Sequence, residues 1–128
     1  EYAFAQKIPH ANIMNQRSEL VEPTAESISA AASGVIPADT RTSITNADAA
    51  GAYPIATFTW MIIYKEQNYS DRSKEQATAT LNLLQYILSD EAQNITSEVH
   101  YAPLPAQAKE LSMKNLKTVT YDGMPILQ

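Results

Sequence analysis

The chain has 128 residues, of which 45% are hydrophobic and 18% are charged, with 9 basic and 14 acidic side chains. This length suits one modest domain, and the plentiful aliphatic residues argue against wholesale disorder. A net charge of −5 argues against a nucleic-acid partner, because proteins that bind nucleic acid usually carry a basic face. The longest mainly apolar run, residues 55–64, is about half of the roughly 20 residues that a membrane-spanning helix needs.

The residue types that usually carry chemistry are scarce. The chain has no cysteine, which excludes disulfides, thiolate zinc sites and a cysteine nucleophile. His10 and His100 lie near opposite ends of the chain and neither has a partner at ligand spacing, so we predict no metal site and no cofactor. The sequence also lacks the common hydrolase and nucleotide-binding motifs. The residues alone therefore predict no catalytic residue.

In the first part of the chain, the patterns predict two helices and a strand. Residues 2–7 favour a helix that ends before Pro9, since proline disfavours helical geometry in the residue before it. An alanine-rich helix is predicted to follow, capped by Thr24 and stopped by a left-handed Gly34. Residues 39–46 are rich in β-branched side chains and alternate weakly, which predicts a strand.

The second part opens with the strongest strand signal and continues as helices. Residues 53–65 become continuously apolar in their second half, which is typical of a strand covered on both faces. The elements predicted after it are a helix over residues 72–88 capped by Ser70-Asp71, a helix over 90–98 capped by Ser89, a helix from Pro105 to about residue 117, and a hairpin-like end turning at Asp122-Gly123.

Arg41 is a candidate anion ligand, because Asp39, Thr40, Thr42 and Ser43 surround it in the sequence. A cation among hydroxyl groups could hold an oxyanion. In a strand, however, alternate residues point to opposite faces, so the five side chains would be divided between two faces. We therefore favour a solvated pair of Asp39 and Arg41 over an anion site.

Six blocks of sequence, spread in order over nearly the whole chain, carry a resemblance to a known family. They are EYAFA at 1–5, VEPT at 21–24 with the alanine-rich helix after it, DTRTSITN at 39–46, GAYPIATFTW at 51–60, YKEQ at 64–67 and YAPLP at 101–105. Together they resemble the PstS family, the phosphate-binding receptors of bacterial ABC transporters. The resemblance implies an α/β fold of the type 2 periplasmic-binding-protein kind, in which two lobes joined by crossing strands close over the anion.

The resemblance further implies that the chain corresponds to the C-terminal portion of that fold, so that the two-lobe fold is incomplete in it. Residues 1–50 are then the C-terminal part of the second lobe, 51–65 the crossing or hinge strand, and 66–128 a helical return that packs on the first lobe. The opening residues read as the inside of an element, which also favours an excerpt. We expect lobe surfaces without their usual partners to expose apolar faces, through which the chain could self-associate.

The family's phosphate ligands do not map onto this chain. In the family they are hydroxyl groups, backbone N–H groups, an Asp and an Arg, in N-terminal segments that include an Arg followed by a Ser-Gly-Thr run. No Ser-Gly-Thr run occurs here and Arg41 matches a different block, so we expect the phosphate-binding residues upstream of Glu1. Tyr53, Pro54 and Thr57 are the candidates for hinge or cleft-edge positions.

The function that the resemblance implies is an extracytoplasmic solute-binding protein, not an enzyme. It would capture inorganic phosphate and deliver it to the subunits of an ABC permease, in the periplasm or at the outer face of the cytoplasmic membrane. The acidic composition does not contradict anion binding, because backbone donors and helix N-termini act through local dipoles. The alternatives are a related sensory or adhesive binding module, an enzyme such as a phosphatase with this fold appended, a truncated relative that does not bind phosphate, and an unrelated small domain.

Overall fold

The computed structural model describes residues 2–127, and in them the chain forms helices and short strands. The elements are α1 (Tyr2–Ala5), β1 (Ile13–Met14), β2 (Leu20–Val21), α2 (Ala25–Ala31), α3 (Lys74–Ile87), α4 (Asp90–Glu98), α5 (Ala106–Leu116), β3 (Thr120–Tyr121) and β4 (Met124–Pro125). β1 pairs with β2 and β3 pairs with β4, in both cases antiparallel. The strands thus occur as two separate two-stranded hairpins.

Capping side chains determine where α2 and α3 begin. The predicted cap Thr24 is confirmed and forms a capping box with Ser27, while Ser73 and Gln76 form the same box at the start of α3. In each box, side-chain oxygens accept hydrogen bonds from backbone N–H groups that a helix start otherwise leaves unsatisfied. The predicted cap of α3 at residues 70–71 is wrong, because the cap is Ser73. A cap residue typically adopts extended backbone angles, whereas residues 70 and 71 have positive φ angles of 50° and 57°.

The other helix ends agree with the sequence in part. Ser89 caps α4 as predicted, accepting a hydrogen bond from the N–H of Ala92. Pro105 is the cap residue of α5, with ψ at 152°, so the helix begins one residue later than predicted. Gly34 is not the left-handed stop of α2: the helix ends earlier, at Ala31, and its C-terminal cap residue is Ala32 with φ at −90°.

The C-terminal hairpin is confirmed. Asp122 and Gly123 connect β3 to β4 with φ angles of 52° and 72°. Glycine adopts this left-handed region without steric cost, and Asp tolerates it better than most residues. The Asp-Gly pair therefore reverses the chain tightly enough for Thr120 to face Pro125.

The two long strands predicted from the sequence are wrong. Residues 39–46 and 53–65 have no regular secondary structure. A strand forms only when its backbone pairs with a neighbour, and within residues 2–127 the backbone of residues 55–64 bonds to no other backbone group. Backbone hydrogen bonds are present again at both ends of this stretch. Pro54 O accepts from Asn46 N at 2.8 Å, and Lys65 O accepts from Thr120 N at 2.9 Å. We call residues 55–64 the unpaired segment.

The buried apolar side chains form two clusters. The first cluster consists of Ala31, Ala32, Ile44, Ala52 and Ala56, and the second of Leu81, Leu116, Val119 and Leu127. Phe58 packs against the first cluster and Ile63 against the second. The unpaired segment therefore carries the chain from one cluster to the other.

Candidate functional site

The predicted hinge residues lie where the chain leaves the first cluster. Tyr53 N donates to Ser27 O at 3.0 Å, and Pro54 O accepts from Asn46 N at 2.8 Å. Pro54 is buried and Tyr53 half-buried, whereas Thr57 is exposed. Tyr53 and Pro54 are thus fixed to their surroundings, and Thr57 lies just beyond them, on the unpaired segment.

A buried polar side chain, Asn15, fastens the loop after β1 to the residues just before this point. Asn15 is 4% exposed, and its Nδ2 donates to Glu19 Oε2 at 2.8 Å and to Ala52 O at 3.2 Å. Its Oδ1 accepts from the N–H groups of Arg17 and Glu19. Glu19 also accepts from Gly51 N, and these bonds, first the one from Asn15, lower its pKa. Sequence reasoning missed this clamp because Asn15 lies in an irregular polar stretch with no periodicity.

A groove of about 940 Å³ opens beside the unpaired segment. It is lined by residues 39–43, by residues 59–63, by apolar side chains at the C-terminal end of α3, and by two polar side chains and one leucine of α5. This volume falls within the range of small-molecule pockets, roughly 300–1,000 Å³. The charged residues that line it are Asp39, Arg41 and Lys65.

Arg41 is already paired. Its Nε lies 2.9 Å from Asp39 Oδ2, and its backbone N–H donates to Asp39 Oδ1 at 3.1 Å. The backbone bond, followed by the side-chain bond, lowers the pKa of Asp39. The favoured interpretation of a solvated Asp–Arg pair is confirmed, although no strand carries it. An oxyanion at Arg41 would have to compete with this carboxylate.

Glu66 forms a second clamp, between the residues before α3 and the C-terminal hairpin. Its carboxylate accepts from Asn68 N at 2.9 Å, Thr120 Oγ1 at 2.8 Å, Asp122 N at 3.0 Å and Gly123 N at 3.1 Å. These donors, led by Asn68 N, lower the pKa of Glu66 to about 2. Because both oxygens are engaged by the chain itself, we interpret Glu66 as a structural clamp.

Two kinds of feature are absent from residues 2–127. Over residues 2–127, no three His, Cys, Asp or Glu side chains come together in a way that could hold a metal ion. Among the helices of the same residues, none combines the length and the apolar character needed to cross a membrane. The features that the described residues build are thus a groove, an unpaired segment and two polar clamps.

The chain is similar to solute-binding proteins of one kind. It is 28% identical, over 92% of its length, to the phosphate-binding protein PstS of Methanocaldococcus jannaschii. It is also 32% and 31% identical, over 81% of its length, to the phosphate-binding proteins PstS of two strains of Xylella fastidiosa. No protein-family model matches the chain. The resemblance to the PstS family predicted from the sequence is confirmed.

The chain matches only part of each of these relatives. The chain spans about a third of their length, 33% of the first and 28% of the other two. Such relatives imply a periplasmic-binding-protein-like fold, and the mixture of helices and strands is compatible with one. Within that fold, this chain represents a minor part.

Proposed function

We propose that this chain is part of an extracytoplasmic solute-binding protein that captures inorganic phosphate and delivers it to an ABC permease. The observation that carries the proposal is the similarity to three phosphate-binding proteins over 81–92% of the chain. The protein works in the periplasm or at the outer face of the cytoplasmic membrane and catalyses no reaction. Its phosphate ligands lie in the part of the receptor that this chain does not represent.

The proposed architecture assigns the chain to the C-terminal portion of a type 2 fold. Residues 1–50 complete the second lobe, 51–65 cross as the hinge, and 66–128 return to pack on the first lobe. The presence of two apolar clusters joined by an unpaired segment supports this division.

The hinge assignment follows from the contacts around residue 54. A hinge needs a fixed end followed by residues whose backbone angles can change. The bonds of Tyr53 and Pro54 to α2 and to residue 46 supply the fixed end, and the exposed middle of the unpaired segment, residues 59–62, supplies the free residues. Thr57, exposed just after the fixed end, is then a cleft-edge position.

A chimera tests the function. The 128 residues replace the matched third of the Methanocaldococcus jannaschii protein, and phosphate binding is measured by titration calorimetry after exhaustive removal of phosphate. We expect a dissociation constant within about tenfold of the parent's, a difference of about 1.4 kcal/mol. The Arg41→Ala chimera is the matched control and should bind equally, because Arg41 is paired with Asp39. A chimera that unfolds cooperatively but binds no phosphate contradicts the proposal.

Phosphate binding by the isolated 128-residue chain is the complementary measurement. It should bind phosphate weakly or not at all in the same calorimetric titration, because the ligands are proposed to lie elsewhere. Micromolar binding would show that the ligands lie within these residues. In that event, loss of binding on Arg41→Ala would identify Arg41 as one of them.

A further inference from the structure

The turn of the C-terminal hairpin, Asp122-Gly123, is the one place in the sequence where an Asp or Asn precedes a glycine. Both residues are exposed to solvent. Because glycine has no side chain, other groups can approach its backbone closely. The carboxyl group of Asp122 and the backbone nitrogen of Gly123 are therefore two accessible neighbours that can react with each other.

The reaction open to such a pair is cyclisation. The nitrogen of Gly123 forms a bond to Cγ of Asp122, and the hydroxyl group of the protonated carboxyl leaves with the amide hydrogen as water. The product is a succinimide ring, which a water molecule then opens. When the water breaks the bond between the Asp122 carbonyl carbon and the Gly123 nitrogen, the chain continues through the side chain as isoaspartate, with no net change in mass.

Both reacting groups are held by residues that precede α3. Gly123 N donates to Glu66 Oε2 at 3.1 Å, and Asp122 N donates to Glu66 Oε1 at 3.0 Å. The carboxylate of Asp122 accepts a hydrogen bond from the side-chain amide of Asn68. Hydrogen bonds to an ionised carboxylate are stronger than bonds between neutral groups. The turn is thus fastened at the nitrogen that would attack and at the carboxyl group that would be attacked.

We propose that Asp122-Gly123 is a latent site of isoaspartate formation, which Glu66 and Asn68 hold in an unreactive geometry. Cyclisation needs the Gly123 nitrogen to lose its hydrogen and to come within about 3–3.5 Å of Cγ. The bond to Glu66 fixes the direction of the N–H group, and the bond from Asn68 fixes the carboxyl group, so the ring closes only after these bonds open. The inference concerns these residues alone and does not rest on the transport role.

The opposite role for Glu66, as a base that speeds up cyclisation, is chemically disfavoured. The pKa of Glu66 lies at about 2, so its carboxylate is ionised at neutral pH but is a weak base. A general base works best when its pKa lies near the operating pH. Glu66 therefore accepts the hydrogen bond from Gly123 N without taking the hydrogen, and it acts as a positioning residue.

Isoaspartate at residue 122 is measured by peptide mapping after the 128-residue chain is incubated at pH 7 and 37 °C. Glu66→Ala removes the acceptor for both N–H groups of the turn, so isoaspartate should form at least about tenfold faster than in the unmodified chain. Glu110→Ala is the matched control: it removes the same charge from an exposed position of α5 and should leave the rate unchanged. In concentrated urea, where the clamp is absent, all three proteins should react at one rate.

Two further variants separate the clamp from overall stability. Asn15→Ala removes the other polar clamp without touching the turn, so it should leave the rate of isoaspartate formation unchanged. Asn68→Ala frees the Asp122 carboxyl group and should raise the rate even if Glu66→Ala does not fold. Amide exchange at Gly123 should become faster in Glu66→Ala but not in Asn15→Ala.

Three results would overturn the proposal. The first is an unchanged rate in both Glu66→Ala and Asn68→Ala. The second is a slower rate in Glu66→Ala, which would make Glu66 a base. The third is an equal acceleration by Asn15→Ala, which would assign the protection to overall stability. Phosphate plays no part in these measurements, so their failure is distinguishable from failure of the proposed function.

Discussion

The two apolar clusters are built from different side chains, and they are stabilised in different ways. Four of the five buried residues in the first cluster are alanines, with Ile44 the exception, whereas the second contains three leucines and a valine. Because the free energy of burial scales with apolar area, alanines contribute little each. We call the residues around the first cluster the first region and those around the second cluster the second region. The first region must depend more on polar bonds such as those of Asn15, and the second region more on packing between helices.

Within residues 2–127, the two regions are joined neither by buried polar bonds nor by helix packing, but by side-chain hydrogen bonds near the surface. Asn115 Nδ2, on α5, donates to Ala38 O at 3.1 Å, and Trp60 Nε1 donates to Thr40 O at 3.3 Å. Contacts of this kind are polar or near the surface, so a change in the angle between the regions disturbs neither cluster. This difference between interior and junction is what the hinge proposal requires.

The largest effect should follow a deletion in the second cluster. Leu81 is 0% exposed, so Leu81→Ala removes its packing and leaves a cavity, which should lower the free energy of unfolding by about 3 kcal/mol. Urea denaturation followed by helical circular dichroism measures this. Leu83→Ala on the same helix is the control, because Leu83 is 58% exposed and should cost less than about 1 kcal/mol. Equal losses would show that α3 does not bury the face seen in the structure.

The first cluster should respond most to loss of a polar side chain. Asn15→Ala removes the donor to Ala52 O and the acceptor for two N–H groups, so we expect a loss of about 2 kcal/mol. Asn82→Ala, at an exposed position of α3, should change the unfolding free energy by less than about 0.5 kcal/mol in the same urea titration. If both substitutions were neutral, the first region would not depend on this clamp.

Glu66 should make the second region sensitive to acid. Its pKa lies at about 2 in the folded chain, below its ordinary value of 4.5. A lowered pKa means that the stabilisation is fully present above about pH 4.5 and is lost as the pH falls towards 2. Glu66→Gln should therefore show a smaller fall in melting temperature between pH 4.5 and pH 2 than the unmodified chain. Glu110→Gln, an exposed position on α5, should retain the full fall, and identical profiles for all three proteins would contradict the clamp.

Local signals in the sequence predicted the local structure. Thr24, Ser89 and the Asp122-Gly123 turn act within a few residues of chain, so their neighbours are sufficient to determine their structure. The strands predicted over residues 39–46 and 53–65 depend on a pairing partner, which β-branched residues indicate but do not supply. The clamps of Asn15 and Glu66 join residues about 40 to 60 positions apart in the chain, and no periodicity reports such contacts. For the site, the Asp39–Arg41 pair was predictable because it is local, whereas the groove was not.

The smallest effects should come from two matched helix caps, and they test whether the two regions unfold together. Thr24→Ala removes the cap of α2 in the first region, and Ser73→Ala removes the cap of α3 in the second. Each should cost about 1 kcal/mol, because one backbone N–H group loses its acceptor. Native-state hydrogen exchange then separates the regions: if they unfold as one unit, either substitution lowers the protection of both clusters. Since the junction between them is made of surface contacts, we expect each substitution to lower protection mainly in its own cluster. A uniform loss of protection after either change would mean that the unpaired segment couples the clusters rigidly, which would exclude it as a hinge.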